Sequence, residues 1–418
     1  MTEPKPLEQY QNEMAQCVRC GACQAHCPVY LETGREGSVA RGKIVLAAAV
    51  LAGEVGLDER LREEIGLCLL CGSCVVKCPN RVPTDAIVAA LRRRIAGEQG
   101  LSPLAKGVAA LTGSKPLLRT LLKGADLLAP LLFKTIPATS GLRLRLAPEA
   151  LKGRSLPPIP ERNLFARVPE FLAGDPDKPT VGVFAGCGLT YLYPQVGEIL
   201  VRLPHRLGYS VFLPRTQGCC GMPALASGNG PLIGTLVQAN VEAFAGRTLD
   251  CILTACASCH GMLAGSAAET GNALGAELVD IHLFLHQQGL VEQLASLPKR
   301  RKRIRVTYHD PCHLRSAGIT RQPRDLLRAL PQVDFVEMAD AGLCCGLGGT
   351  FTAAHPDLSR AIGDRKLAGL GASGATVIAS SCPGCILQLQ DIVDRAGLPM
   401  KAVHTLELID QALAGPTS

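Results

Sequence analysis

Residues 17–30 read CVRCGACQAHCPVY, and residues 68–80 repeat the plan as CLLCGSCVVKCPN. Each stretch sets four cysteines at intervals of three, three and four, then a proline: Cys17, Cys20, Cys23, Cys27 and Pro28, followed by Cys68, Cys71, Cys74, Cys78 and Pro79. Thiols this crowded cannot all pair with one another, because a disulfide demands a specific separation and orientation of its two residues. They can wrap a metal centre. Gly21 and Gly72 let the backbone pass close to such a centre, and the prolines turn the chain away after the last ligand.

This spacing is the bacterial ferredoxin pattern. The first three cysteines of a run hold three irons of one [4Fe–4S] cube, and the fourth reaches across to the other cluster. Two copies make the crossed assignment self-consistent. One cluster takes Cys17, Cys20, Cys23 and Cys78; the other takes Cys68, Cys71, Cys74 and Cys27. The alternative is a pair of structural zinc knots. Zinc prefers two CxxC pairs set well apart over four thiols in one loop, so the spacing favours iron–sulfur.

The flanks read as helical. Leu57, Leu61 and Ile65 recur at every fourth position before Cys68. Pro83 opens a helix carrying Ile87, Leu91 and Ile95, stopped by Gly97. Ser38 to Gly53 reads as another. Residues 1–100 are therefore expected to form an α-helical two-cluster ferredoxin domain, with Arg92 to Arg94 on its solvated face.

A second repeat lies beyond residue 178. Cys187, Cys219, Cys220, Cys256 and Cys259 recur as Cys312, Cys344, Cys345, Cys382 and Cys385, displaced by 125 or 126 residues. Each set reads as a lone cysteine, a CCG triplet and a CxxC. The context repeats too. TVGVFAGC, YSVFLPRTQGCC and CILTAC match IRVTYHDPC, VDFVEMADAGLCC and TVIASSC, all apolar, β-branched runs that end at cysteine. Helix-length segments such as Pro231 to Ala245 and Leu358 to Leu370 lie between them. That alternation predicts parallel sheets, with every cysteine group just past the carboxyl end of a strand, where open α/β sheets build their sites. Five thiols per repeat exceed the four that a tetrahedral zinc takes. Cys251 has Val377 as its counterpart and reads as a core residue. The chain is thus α/β and multidomain: a ferredoxin domain at 1–100, a helical, proline-rich linker at 101–178, and duplicated α/β units with parallel sheets at 179–297 and 304–418.

Composition narrows the function. Of 418 residues 47% are apolar, enough for several packed cores, and there is no tryptophan and little other aromatic content to stack nucleic-acid bases. The formal charge of +7 suits a partner or an anionic membrane surface without requiring either. The nineteen cysteines, an odd number and mostly clustered, point to a reducing compartment with thiols kept for metal. The opening MTEPKPLEQYQNEM lacks the apolar core of a secretory signal. The longest apolar run, Ile44 to Gly53, is about half of the roughly 18 residues a membrane span needs. A cytoplasmic protein is expected, with peripheral contact to the inner membrane as its closest approach to lipid.

At this point the chain resembles the iron–sulfur subunit of bacterial glycolate oxidase and its D-lactate dehydrogenase relatives. The resemblance covers nearly the whole chain. It rests on the two ferredoxin motifs, the two CCG sets, and the stretch CPVYLETGREGSVARGKIVLA at residues 27–47 with its serine and Arg-Gly-Lys-Ile. YHDPCHL and CCGMPALASGNG are equally similar to the iron–sulfur subunit of anaerobic glycerol-3-phosphate dehydrogenase and to lactate-utilisation proteins. The CCG units also resemble the CCG-bearing subunit of heterodisulfide reductase, where each full five-cysteine set holds a noncubane [4Fe–4S] cluster that reduces a disulfide. In the glycolate oxidase pattern the final CxxC is often reduced to one cysteine; here both sets are complete. The resemblance therefore implies two [4Fe–4S] clusters in the ferredoxin domain and one or two more, cubane or noncubane, in the CCG domains. It implies electron transfer from an FAD-binding dehydrogenase partner towards quinone or a membrane-bound acceptor. A disulfide reductase and a zinc-bound scaffold are the competing functions.

What is missing agrees. No GxGxxG opens a helix after a strand; CGLGG at 345–349 is part of the CCG turn. No carboxylate pair or Ser/His/Asp order suggests hydrolysis. His26, His260, His309 and His313 border cysteines and read as satisfied loop histidines. KPLLRTLLKGADLLAPLLFKTIP in the linker reads either as amphipathic helices facing a partner or membrane, or as a layer packed on the CCG units. KRRKRIR at 299–305 reads as a solvated run, with attraction to anionic lipid as the alternative.

Overall fold

The computed structural model describes residues 5–114, 117–118, 120–121, 124, 133–136, 141–144, 153–270 and 274–414. Helices Ala40–Leu51, Glu59–Gly66 and Thr84–Gln99 build the N-terminal core, where Ile44, Leu61, Ile65, Ile87, Leu91 and Ile95 are buried together. Asp58 caps the second helix by accepting from Leu61 N at 2.8 Å, which satisfies a donor the helix itself leaves free. Two expectations fail here. Gly97 does not stop the third helix, which runs to Gln99 and ends at Gly100. A glycine inside a helix costs only about 1 kcal/mol, less than the buried face of that helix contributes. Nor do Arg92 to Arg94 all lie on a solvated face; only Arg94, paired with Glu8 at the surface, does. Arg92 turns inward and donates to the carbonyls of Ile65, Gly66, Cys68 and Ala226 at 2.7–3.2 Å. Arg93 donates to the Lys5 carbonyl and Arg94 pairs with Glu8, both at 2.7 Å. The unfilled carbonyls at the end of Glu59–Gly66 attract a cation, and charge composition alone does not reveal that.

Strands β1 (Phe133–Ile136) and β2 (Gly141–Leu144) form a small antiparallel pair. The first large sheet holds β3 (Phe171–Leu172), β4 (Thr180–Val183), β5 (Ser210–Phe212), β6 (Cys251–Thr254) and β7 (Glu277–Asp280), in the order β3-β5-β4-β6-β7. The second holds β8 (Ile304–His309), β9 (Val333–Phe335), β10 (Val377–Ser380) and β11 (Lys401–His404), in the order β11-β10-β8-β9. Read from its other edge, β9-β8-β10-β11 reproduces β5-β4-β6-β7. The duplication in cysteine spacing is a duplication of topology. Both sheets are parallel except for β3, which runs antiparallel to β5 and makes the first sheet mixed. Val181 and Val183 on β4 and Val306 and Tyr308 on β8 are fully buried, as expected of central strands covered on both faces. The expected segment Leu358 to Leu370 is two helices, Pro356–Asp364 and Lys366–Ser373.

The two units are not separate beads. One apolar cluster joins Val181, Val183 and Leu200 to Val306, Tyr308 and Leu406; another joins Phe184, Phe244 and Ile252 to Ile378, Leu389 and Ile392. Cys251 packs in the first of these, apart from the other thiols, as its lack of a counterpart suggests. His404 fastens the seam: Nε2 donates to the Ala255 carbonyl at 2.9 Å and Nδ1 accepts from Leu406 N at 3.2 Å. The preceding segment is tied to the far unit. Arg154 pairs with Asp391 at 3.0 Å, their side chains 7% and 2% exposed, and Ser155 N donates to the same carboxylate at 2.8 Å. Helix Pro103–Gly113, capped by Ser102, packs against Met222–Ser227 and Gly230–Phe244. Most of KPLLRTLLKGADLLAPLLFKTIP lies outside the described residues. In the basic run, Arg301 and Lys302 are exposed, while Arg300 donates to the Gln411 carbonyl at 2.8 Å.

Arg154→Ala removes the more buried of two arginines from Asp391, which keeps Arg395 at 3.3 Å, so unfolding free energy should drop by about 1.5–3 kcal/mol, read by denaturant titration. The double change to Met and Leu should recover much of it. His404 gives a pH signature. Burial holds its pKa down at about 3, below the ordinary imidazole value near 6.5. The unfolded chain takes up a proton there that the folded chain refuses. Its stabilising contribution is whole above about pH 6.5 and falls as pH drops towards about 3. His404→Gln should lose less stability between pH 7 and pH 5 than the parent does.

Candidate iron–sulfur centres

The two N-terminal motifs interlock. Cys17, Cys20, Cys23 and Cys78 line one hollow, bordered also by Cys74; Cys27, Cys68, Cys71 and Cys74 line a second. The fourth cysteine of each run thus sits with the first three of the other, as the crossed pattern requires. Among the described residues, no three of these eight thiols lie within 4.8 Å of one another. A single zinc, with bonds near 2.3 Å, needs its sulfurs closer than that. The thiols ring a space suited to a cluster of several atoms. Backbone amides point at the sulfurs: Tyr30 N donates to Cys27 Sγ and Leu70 N to Cys68 Sγ, both at 3.5 Å. Such hydrogen bonds raise cluster potentials by stabilising negative sulfur.

A buried cation provides a second test of fit. Lys43 is 2% exposed, and its ammonium donates to the carbonyls of Gly37 and Glu64 at 3.2 and 2.8 Å. Burial pushes its pKa down to about 8, while the thiols of Cys68 and Cys27 pull the other way. A cation enclosed without a carboxylate is costly. An anionic cluster held by the second hollow would compensate it.

In the CCG units four of the thiol groups lie just past the carboxyl end of a strand, and the two CCG pairs lie in the longer loops after β5 and β9. Cys187 follows β4, Cys256 follows β6, Cys312 follows β8 and Cys382 follows β10. Within the first set the thiols run in contact from Cys187 through Cys219, Cys220 and Cys259 to Cys256. In the second, Cys344 adjoins Cys345, whose sulfur lies 3.7 Å from Cys385, and Cys385 adjoins Cys382. Hydrogen bonds from neighbouring thiols hold Cys220, Cys345 and Cys382 well below the ordinary thiol value, while hydrogen bonding and burial push Cys187, Cys344 and Cys385 up. Each set therefore stabilises a thiolate, the form that binds metal. Gly346 makes the CCG turn: φ is +90°, and a Cβ there would collide with the Ser359 carbonyl oxygen.

The sets also meet one another. Cys256 of the first contacts Cys382 of the second, and Ser258 Oγ lies 3.6 Å from Cys382 Sγ. Cys71 packs with Cys344 in one buried cluster, with Cys312 at its edge. That junction is close-fitting. Gly72 has φ +66°, and a Cβ on it would come 2.7 Å from Ser316 Oγ; Arg315 donates to Ser73 Oγ at 2.5 Å. The second ferredoxin hollow, the second set and the first set thus adjoin in that order.

The histidines divide. His26 is exposed. His313 Nδ1 lies 3.7 Å from Cys312 Sγ. His260 is buried with Nδ1 unpartnered. His309 departs from the loop expectation: it ends β8, is 1% exposed, and among the described residues neither ring nitrogen has a nitrogen or oxygen partner, while the ring faces the Cys345 thiol. Sequence reasoning missed Lys43, Arg92 and Lys366. Lys366, 3% exposed beside Cys345 and Cys344, donates to the carbonyls of Asp340, Ala341 and Leu343 at 3.0–3.3 Å. One signal was present: Lys43 falls on the same helix stripe as Ile44, Ala47 and Val50, which face the core.

Comparison with known proteins agrees with this geometry. Residues 13–82 match the model of a 4Fe-4S dicluster domain, and residues 181–264 and 306–390 each match the CCG cysteine-rich domain. The chain is similar to a protein of Bacillus subtilis (strain 168) named probable glycolate oxidase iron-sulfur subunit, 29% identical over 100% of both chains. It is 27% identical to the glycolate oxidase iron-sulfur subunit of Escherichia coli (strain K12), over 95% of this chain and 93% of that one. It is also 27% identical to one subunit of the dihydromethanophenazine:CoB–CoM heterodisulfide reductase of Methanosarcina barkeri, over 97% and 95%.

Lys43→Met should make the adjoining cluster harder to reduce, because a buried positive charge favours the added electron. A tenfold weaker reduction equilibrium corresponds to about 59 mV for one electron, read in an EPR-monitored potentiometric titration. An unchanged potential would contradict the charge-balance argument.

Proposed function

We propose that this chain, which belongs to the family of iron–sulfur, CCG-domain electron-transfer subunits, takes electrons from an FAD-linked 2-hydroxyacid dehydrogenase and passes them towards quinone. The substrate of that partner is glycolate or D-lactate. Iron–sulfur clusters supply one-electron transfer when bound, which lets a two-electron flavin discharge in single steps. Cys17, Cys20, Cys23 and Cys78 hold one [4Fe–4S] cluster, and Cys27, Cys68, Cys71 and Cys74 hold the other. The two five-cysteine sets hold further clusters of their own. The observation that carries this reading is the packing of Cys71 with Cys344 and Cys312, which leaves little insulating protein between the dicluster domain and the second CCG unit. Lys43, Arg92 and Lys366 hold fixed positive charge beside the thiols, and the apolar core around them excludes water. The protein works in the cytoplasm, bound to its flavoprotein and peripheral to the inner membrane. It has no role with nucleic acid.

A second reading has its own support. Both five-cysteine sets are complete, and Cys256 meets Cys382 between the repeats. Thiols converging from two sides suit a disulfide-reducing centre of the heterodisulfide reductase kind.

Anaerobic purification from the native host separates the two. A co-purifying flavoprotein should appear, and D-lactate or glycolate should bleach the brown cluster absorbance. Bleaching only by glycerol 3-phosphate would move the partner to that dehydrogenase. Clusters that answer a disulfide, with no flavoprotein present, would overturn the leading reading in favour of the second.

A further inference from the structure

The two repeats differ at one position beside their thiols. Three residues ahead of Cys187 stands Phe184; three ahead of Cys312 stands His309. Both are enclosed, at 0% and 1% exposure. Phe184 packs against the ring of Phe244, centroid to centroid 6.5 Å. His309 instead faces sulfur. A ring nitrogen of His309 and the sulfurs of Cys345 and Cys385 lie within 4.8 Å of one another, all three residues buried. The two sulfurs are 3.7 Å apart, the separation expected of two thiolates on one tetrahedral metal with bonds near 2.3 Å.

The imidazole has no other use here. Among the described residues neither nitrogen has a hydrogen-bond partner of ordinary geometry; the group it interacts with is the Cys345 thiol, and a buried polar atom left unpaired bears its full desolvation cost. The polar groups around it are occupied. Lys366 is spent on the carbonyls of Asp340, Ala341 and Leu343. Asp310 is clamped by Arg324 through two bonds of 2.7 Å. What remains within reach of the ring is the thiol pair.

We propose that His309 is a nitrogen ligand to the iron that Cys345 and Cys385 bind in the second repeat. This rests on the reading that the repeat holds an iron–sulfur cluster. It makes the two CCG centres chemically unlike, since the first has a phenyl ring in the same place. A neutral imidazole added to a full thiolate set changes the ligation of one iron without changing the charge of the thiolates around it. The second centre, next to Cys71, should then differ from the first in its spectrum and potential.

The test uses the full chain, prepared anaerobically with its clusters and labelled with ¹⁵N-histidine. Electron–nuclear double resonance on the CCG centres should show one strongly coupled nitrogen, as for a directly bonded imidazole. The coupling should vanish in His309→Asn and persist in His313→Asn. In His309→Phe, which copies the first repeat, the spectrum of that centre should move towards that of the first CCG centre. Full iron content with only weak nitrogen coupling, or strong coupling that survives His309→Asn, would overturn the ligand assignment and leave the proposed function standing. Iron sufficient only for the dicluster domain would overturn both the assignment and the CCG clusters. The labelled parent chain decides the question even if every His309 variant misfolds.

Discussion

Sulfur that is to carry charge inside a protein must be balanced by positive charge that is also inside. The rest of this structure follows from that constraint. Lys43 beside the second ferredoxin hollow and Lys366 beside the second CCG set are both nearly inaccessible to water, and each donates to backbone carbonyls. Arg92 does the same under Cys68. Without anionic clusters these cations would be expensive to bury. An anionic cluster beside them would offset that cost, and each buried charge would then favour the added electron.

Parallel strands supply the other half of the arrangement. A strand that ends at its carboxyl edge delivers the next residues to a rim, and three strands deliver five cysteines there. Duplicating the unit gives two rims. Shared cores then press them together, so that Cys256 meets Cys382, while the loop after β8 meets the second ferredoxin motif. The order of sulfurs along the molecule is therefore a product of packing between domains. The buried pair Arg154–Asp391 holds the intervening segment against the far unit and helps keep the order fixed.

Much of this was legible in the sequence. The eight N-terminal cysteines gave the crossed pattern through spacing alone, and the displacement of 125 or 126 residues gave the duplication. β-branched runs ending in cysteine gave the strands. What spacing could not convey was the contact between units, because nothing local in the chain marks Cys71 as a neighbour of Cys344. Arg92 misled for a similar reason. Three adjacent arginines look solvated, and only the helix end packed across from them reveals a row of carbonyls to fill. His309 looked like a loop residue beside a cysteine; the strand that carries it inward became apparent with the sheet. The short edge strand β3 sits in a stretch whose prolines and glycines read as linker, since two residues give no periodicity to recognise.

Electron transfer through this chain requires electronic contact between the dicluster domain and the second CCG unit. The most direct measurement is low-temperature EPR of the fully reduced, anaerobically prepared chain. Neighbouring spins should split or broaden each other's signals, and Cys312→Ser should return the ferredoxin signals to isolated form. Sharp, independent signals from every cluster in the unaltered chain would contradict a continuous path of sulfur through the molecule.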